Sequence, residues 1–514
     1  PVATVETLSL RPLSKEALRS AAATGAGDAL YAVRWNALPD STPKTAVPAS
    51  EILEVVSGDR TPRDVTHDTL LQVQDFLNDQ SKQDTTLIVV TRGATAVDDE
   101  DITDLPAAGV TGLIRVAQTE NPGRIVLADI PTGTHINTTA ILATGEPQLA
   151  LRHGTFHTPR LTPVRSDDDG TQVRWDEGTI LITGATGTLG AVLARHLVTE
   201  HHAKHLLLLS RRGAQAPGAT ELGTELTALG ADVTITACDV TDKTALAAVL
   251  DSLPTDTPLK AVIHTAGVLD DTILTDLTPE RLDTVLRPKI DAAHHLHELT
   301  QHLNLNAFVL YSSIAGLIGN AGQANYAAAN TYLDALAHHR TTQGLPATSL
   351  AWGLWEQTST ISGELNDADL RRIKRLGLLP LPTHQAMTLF DTATTTTHPL
   401  LAISPLDHTT LRTQHHVSTP LFRELVPEGP RRASDAHGGS TSSLAQRLQG
   451  LASAQRAQAL IDLVRAQVAA VLGHADPSTI AADRAFQDLG FDSLTAVELR
   501  NQLNKTTGLR LPST

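Results

Sequence analysis

Short apolar runs alternate with segments of helical period along most of this chain. Leu87-Ile-Val-Val-Thr91 and Arg124-Ile-Val-Leu-Ala-Asp129 read as strands. Between them, Gly112-Leu-Ile-Arg-Val-Ala117 reads as helix. The same rhythm recurs in the strands Thr179-Ile-Leu-Ile-Thr183, His205-Leu-Leu-Leu-Leu-Ser210, Val233-Thr-Ile-Thr-Ala237, Ala261-Val-Ile-His-Thr265 and Ala307-Phe-Val-Leu-Tyr311. Runs that stay apolar at successive positions suit strands covered on both faces. Strands separated by helices suit a parallel sheet, so the expected class is α/β. Tyr31-Ala-Val-Arg-Trp35 reads as an edge strand.

The segment after the strand at Thr183 adds chemistry. Gly184-Ala-Thr186-Gly187-Thr188-Leu189-Gly190 leads directly into an apolar-periodic helix. Glycines placed between a strand and a helix make a tight turn, let backbone approach a pyrophosphate and let the helix pack on the strand. Thr183, Gly184, Thr186, Gly187, Thr188 and Leu189 are therefore candidate dinucleotide contacts. The next strand ends in Ser210-Arg211-Arg212, where an NAD-selective site commonly carries an acidic residue for the ribose. Two guanidiniums suit a 2′-phosphate, so NADPH is expected over NADH. A solvated basic turn is the plainer alternative. Two later strands end in Cys238-Asp239-Val240 and Ala266-Gly267-Val268, at the carboxyl ends where such sheets bind ligands. Asp239 and Val240 are expected near the adenine and Ala266-Gly267 near the cofactor backbone. Asp239 could equally cap a helix, and His264 reads as a core histidine.

The third signal is Ser313-Ile-Ala-Gly-Leu-Ile-Gly-Asn-Ala-Gly-Gln-Ala-Asn-Tyr326-Ala-Ala-Ala-Asn330. Tyr326 and Asn330 are four residues apart and share a helical face. Ser313 stands just past an apolar strand. A serine at a strand end that faces a helical tyrosine can bind and protonate a carbonyl oxygen. A Gly/Ala-rich helix packed on a sheet would use the same residues.

Together these residues resemble the ketoreductase domain of a modular type I polyketide synthase, a branch of the short-chain dehydrogenase/reductases. The resemblance implies a catalytic half over residues 173–425 with Ser313, Tyr326, Asn330 and Lys289 as its catalytic set. Many relatives carry the lysine one turn after the tyrosine; here Asn330 stands there, and Arg287-Pro288-Lys289 supplies the lysine, as in this family. By this likeness Ser313 and Tyr326 donate to the ketone oxygen, positive charge from Lys289 and the cofactor makes Tyr326 a better acid, and Asn330 holds Lys289 or a water. Leu269-Asp270-Asp271 and Asn325 resemble B-type markers. Ile318 stands where A-type enzymes carry tryptophan, and Ala321 where epimerising B-type enzymes carry proline. The resemblance thus implies a D-configured β-hydroxyacyl product without epimerisation.

It extends to both sides. Residues 29–172 resemble the structural half of the same domain, including Gln118-Thr-Glu-Asn-Pro122 and Leu151-Arg-His-Gly154. No glycine fingerprint follows its strands, so a degenerate Rossmann-like half that binds nothing is expected beside the NADPH-binding half. Glu364–Arg375 reads as an amphipathic helix near the family's substrate lid, or a plain surface helix. Residues 426–443 read as a linker. Residues 444–514 resemble part of an acyl carrier protein, a partial α-helical domain whose Ser493, in Asp492-Ser493-Leu494, would carry 4′-phosphopantetheine. Its later helices are expected to be missing. Residues 1–18 resemble the tail of a preceding domain of dehydratase type.

Composition agrees with one piece of a larger assembly. The 514 residues carry a formal net charge of −16, which disfavours a nucleic-acid partner. No apolar run spans a membrane and no signal peptide is evident. The single Cys238 excludes an internal disulfide and fits the cytoplasm. No metal ligands are assigned. The expected partners are a carrier-bound polyketide thioester, the acyl carrier protein and neighbouring synthase domains. A catalytically dead scaffold or an epimerase-type domain would keep the fold but lack part of the catalytic or cofactor set.

Overall fold

The computed structural model describes residues 29–39, 48–164, 172–357, 367–413, 419–426, 444, 448–474, 476–481 and 484–511. The dehydratase-like tail and almost all of the linker lie outside them.

Thirteen strands form one continuous sheet. They are β1 (Leu30–Ala37), β2 (Ser50–Glu54), β3 (Thr86–Thr91), β4 (Ile125–Asp129), β5 (Gln148–Arg152), β6 (Thr155–Pro163), β7 (Thr179–Thr183), β8 (His205–Ser210), β9 (Asp232–Ala237), β10 (Leu259–His264), β11 (Ala307–Ser313), β12 (Thr348–Trp352) and β13 (Leu400–Ile403). Their order is β2-β3-β4-β5-β6-β1-β13-β12-β11-β10-β7-β8-β9. From β13 to β9 every neighbouring pair is parallel. The order reverses between β7 and β10, the point at which doubly wound sheets bind ligands. β3 and β7 are buried at every position, which is why they read as unbroken apolar runs.

The expectation for β1 is corrected. It is not an edge strand: it pairs antiparallel with β6 along Tyr31–Ala37 and with β13 at Leu30 and Tyr31, and so joins the two halves in mid-sheet. The edges are β2 and β9, whose positions are largely exposed or alternate.

The halves are also joined through helices. The helix Leu105–Glu120 packs on the helix Ala324–Thr342 that carries Tyr326. A β-carbon on Gly109 would stand 3.3 Å from the Ala328 carbonyl oxygen. One on Gly112 would stand 2.5 Å from the Ala327 carbonyl carbon and from Thr331 Oγ1. Only glycine permits that approach. Toward the end of the chain, the helices Ser453–Leu472 and Ser493–Thr507 enclose a small core of Val468, Ala469, Val471, Ile480 and Leu499.

Candidate active site

Ser313 ends β11. Its hydroxyl accepts from Ala315 N–H (3.3 Å) and starts the short helix Ile314–Ile318. Tyr326 lies buried near the start of its helix, and one turn on Asn330 donates from Nδ2 to the Tyr326 carbonyl (2.8 Å). Ser312 Oγ reaches the Asn330 carbonyl, tying strand end to helix. Burial raises the Tyr326 pKa, opposed by hydrogen bonds from the Ser313 and Asn330 side chains. The fold therefore brings Ser313, Tyr326 and Asn330 to one place.

Lys289 arrives from the other side, on one wide π-helical turn, Arg287–Asp291. Such turns push a residue out of helical register. Its ammonium is buried, donates to the Tyr311 carbonyl (2.9 Å) and sits 5.5 Å from the centre of the Tyr326 ring. Burial pulls the lysine pKa down to about 7, against the attraction of Asp334. Two expectations shift here. Burial, not Lys289, dominates the acidity of Tyr326, and Asp271 adds to the rise. Asn330 holds the tyrosine's own backbone rather than Lys289, while its buried Oδ1 has no partner among the described residues.

The glycine cradle lies at the switch point. Gly184 (φ +68°) has its would-be β-carbon 2.8 Å from Ala266 Cα, and Gly190 has one 2.6 Å from the Gly184 carbonyl. A β-carbon on Gly267 would meet Lys289 Cε at 2.8 Å. Gly187 starts the helix Thr188–Thr199 with no side-chain cap, and Thr186, Thr188 and Leu189 are half-buried beside it. A helix start left without a side-chain cap next to side-chain-free backbone fits a dinucleotide pyrophosphate. Thr183 is turned inward: its hydroxyl meets His264 Nδ1 (2.7 Å) and its carbonyl accepts from Thr265. Burial drives the His264 pKa down to about 3, so it is a neutral core residue. Ser210 is half-buried; Arg211 and Arg212 are exposed and make no ion pair among the described residues. Asp239 accepts from Thr241 N–H (3.0 Å). Burial would raise its pKa, but the Thr241 hydrogen bonds and the fields of Arg211 and Arg287 bring it down. The helix cap nearby is Asp242, not Asp239. Val240 is buried.

Asp270 and Asp271, at the expected mouth of the substrate groove, stand beside the start of the tyrosine helix. Arg281 grips Asp270, whose carbonyl accepts from Asn325 Nδ2 (2.7 Å). Asn325 Oδ1 in turn accepts from Tyr326 N–H (2.8 Å). Asp271 accepts from Gln323 Nε2 (2.8 Å), and Thr272 N–H reaches the Gly322 carbonyl. Burial pushes Asp271 up to about 6, against Gln323 and the charge of Arg372. Arg372 belongs to the helix Asp367–Arg375, so the described part of the Glu364–Arg375 segment is helical, as expected.

Two residues of the site lie inside stretches that carry the resemblance, but have no expected role there. Gln323 is one. The other is Glu120, a buried carboxylate whose Oε1 accepts from Gly322 N–H and Oε2 from Leu274 N–H, both at 2.8 Å. It ties Gly322 to Leu274 from the other half of the sheet. An acid on the last residue of a helix opposes the helix dipole, a signal that adds to its place in the Gln118–Pro122 motif.

Ser493 is exposed on the first residue of the helix Ser493–Thr507, with Asp492 as the cap. Elsewhere, His196 and His201 both hydrogen-bond through Nε2 to Asp391 and form a group able to hold a metal. No described helix is long and apolar enough to cross a membrane.

Comparison with known proteins agrees with this architecture. Family models match residues 178–357 (KR domain), 7–161 (the Rossmann fold domain of polyketide synthase extender module SpnB) and 462–514 (phosphopantetheine attachment site). Polyketide synthase GfsA of Streptomyces halstedii is 44% identical over the whole chain, which spans only 8% of that relative's length. A solved A1-type ketoreductase is 32% identical with a TM-score of 0.66, over 77% of this chain and 98% of its own. A solved A-type ketoreductase from a modular polyketide synthase is 33% identical with a TM-score of 0.65, over the same shares. With its two Rossmann-like halves and this degree of identity, the chain belongs to the ketoreductases of modular polyketide synthases.

Proposed function

We propose that the chain reduces a carrier-bound β-ketoacyl thioester to the D-β-hydroxyacyl thioester with NADPH. The observation that carries this reading is the meeting of Ser313, Tyr326, Asn330 and Lys289 beside the cradle of Gly184, Ala266 and Gly267. When bound, the nicotinamide supplies hydride to the β-carbon. Ser313 and Tyr326 donate hydrogen bonds to the ketone oxygen, and the Tyr326 proton passes to it as charge develops there. Lys289, 5.5 Å from the ring, offsets the negative charge left on the phenol oxygen. Asn330 fixes the first turn of the tyrosine helix. Arg211 and Arg212 suit the 2′-phosphate, and Asp239, Val240, Thr186, Thr188 and Leu189 line the rest of the cofactor path.

Asp270 and Asp271, held by Asn325 and Gln323, set the face on which the ketone enters. Neighbours described as A-type share the fold, so the D assignment rests on these residues and Ile318. The domain divisions proposed are 29–172, 173–425 and 444–514, with Ser493 bearing phosphopantetheine. Buried, unpaired Cys238 suits the cytoplasm. The test is NADPH oxidation by the purified chain with a simple β-keto thioester, with the hydroxy product identified. A folded chain that binds NADPH but does not turn over would be a scaffold, and the reading would fail.

A further inference from the structure

The helix Ser493–Thr507 does not hang free of the reductase. Its Leu494, Glu498 and Asn501 recur at helical spacing on one face, while Leu499 points into the carrier's own core and Thr495 is bonded to the Asp492 cap. Leu494 lies over Gly322, whose would-be β-carbon would be 3.2 Å from Leu494 Cδ2. Asn501 Nδ2 donates to the Glu120 carbonyl (3.0 Å), and Arg500 Nη2 donates to the same carbonyl. Glu498 pairs with Arg375 on the helix beside the mouth. Arg371 of that helix packs at Gly473, at the end of the other carrier helix.

These contacts converge on the residues that frame the mouth. Glu120 joins Gly322 to Leu274 through its carboxylate and receives Arg500 and Asn501 on its carbonyl. Ser493 adjoins Leu494, which covers Gly322, four residues before Tyr326. Resting on the function proposed above, we infer that the Leu494/Glu498/Asn501 face is the seat by which the chain's own carrier docks on Glu120, Gly322 and Arg375, so that an arm on Ser493 enters over the Gly322–Gln323 wall. The seat spans both halves of the reductase and the helix beside the mouth, so it can form only when all three are in place. Opposite charge at Arg375–Glu498 fixes its register.

The experiment uses the full chain in two assays. The first compares reduction of a β-ketoacyl group borne on the phosphopantetheine of Ser493 with reduction of the diffusible N-acetylcysteamine thioester. Glu498→Arg is expected to slow the carrier-borne reaction about tenfold while leaving the diffusible one within about twofold, and adding Arg375→Glu is expected to restore it. Equal loss on both substrates, or no loss on either, overturns the seat. Wild-type failure on both substrates strikes instead at the reductase reading. The second assay needs no loading: amide exchange at 319–323 should be slow in the wild-type chain and faster in Arg500→Ala. Unchanged exchange overturns the proposal, as does protection that appears only as protein concentration rises, which would assign the seat to a second copy.

Discussion

Gly112 and Ala327 touch backbone to backbone: a β-carbon on the glycine would stand 2.5 Å from the alanine's carbonyl carbon. Ala327 directly follows Tyr326. The half without a glycine fingerprint therefore acts as a brace for the tyrosine helix. Gly112→Ala must displace one helix or the other, and overpacking of this kind costs about 1–3 kcal/mol. The expected outcome is a lower denaturant midpoint together with reduced turnover, with NADPH affinity little changed. Normal stability would show that the two helices are free to part.

Tyr326→Phe removes one hydroxyl and keeps the ring. Loss of a positioned acid costs on the order of 10²–10⁴ in rate. Turnover should fall by that much while NADPH binding, measured by fluorescence titration, stays near normal. Near wild-type turnover would remove Tyr326 from the chemistry.

Some of this architecture is legible in the sequence, and the rest is hidden for physical reasons. Strands β3, β7 and β8 are covered on both faces, so burial alone writes them as apolar runs. The Ser313 to Asn330 stretch is local, and helix geometry brings its residues together as the spacing implies. The place of β1 is hidden because its partners, β6 and β13, lie far along the chain and pairing leaves no local mark. Gly112 and Glu120 act on backbone atoms of distant segments, Ala327 for one and Gly322 and Leu274 for the other, so the sequence holds the residues, Glu120 even within the Gln118–Pro122 motif, but not their roles. The acidity of Tyr326 departs from expectation because its burial is a tertiary property.

Arg211 and Arg212 are exposed at the end of β8 and have no ion-pair partners among the described residues to hold them elsewhere. Replacing both with Ala should raise the KM for NADPH far more than that for NADH. Charge-assisted bonds are worth about 1.5–3 kcal/mol each, so the selectivity ratio should fall at least tenfold. Steady-state kinetics with both cofactors decides it, and equal changes would mean the arginines do not read the phosphate.

The Asp270–Asp271 wall is tied to the tyrosine helix through Asn325 and Gln323. A wall fixed relative to Tyr326 exposes one ketone face, and about 1.4 kcal/mol between faces already gives tenfold selectivity. Product released from a carrier-borne substrate should be predominantly the D alcohol by chiral chromatography. An L product would show that these residues do not direct entry.

Glu120 sets a pH dependence whose sign can be worked out. Burial raises its pKa from the ordinary 4.5 to about 7, against hydrogen bonds from Gly322 and Leu274 and the charge of Arg500. Between those two values the folded chain holds a proton that the unfolded chain has lost. Its contribution to stability is therefore complete below about pH 4.5, declines as pH rises through 7 and is flat above. Glu120→Gln cannot ionise, so it lacks this decline. It also turns an amide N–H toward one of the two backbone donors, which costs about 1–3 kcal/mol at low pH. Denaturant midpoints measured from pH 5 to 8 should thus start lower for the variant and converge on wild type as pH rises. Asp271 and Asp334, both raised by burial to about 6, add slopes of the same sign to both proteins. The difference between the curves isolates Glu120. Parallel curves would mean that Glu120 is ionised throughout, and the staple between Gly322 and Leu274 would then be a permanent charge rather than one that titrates near neutrality.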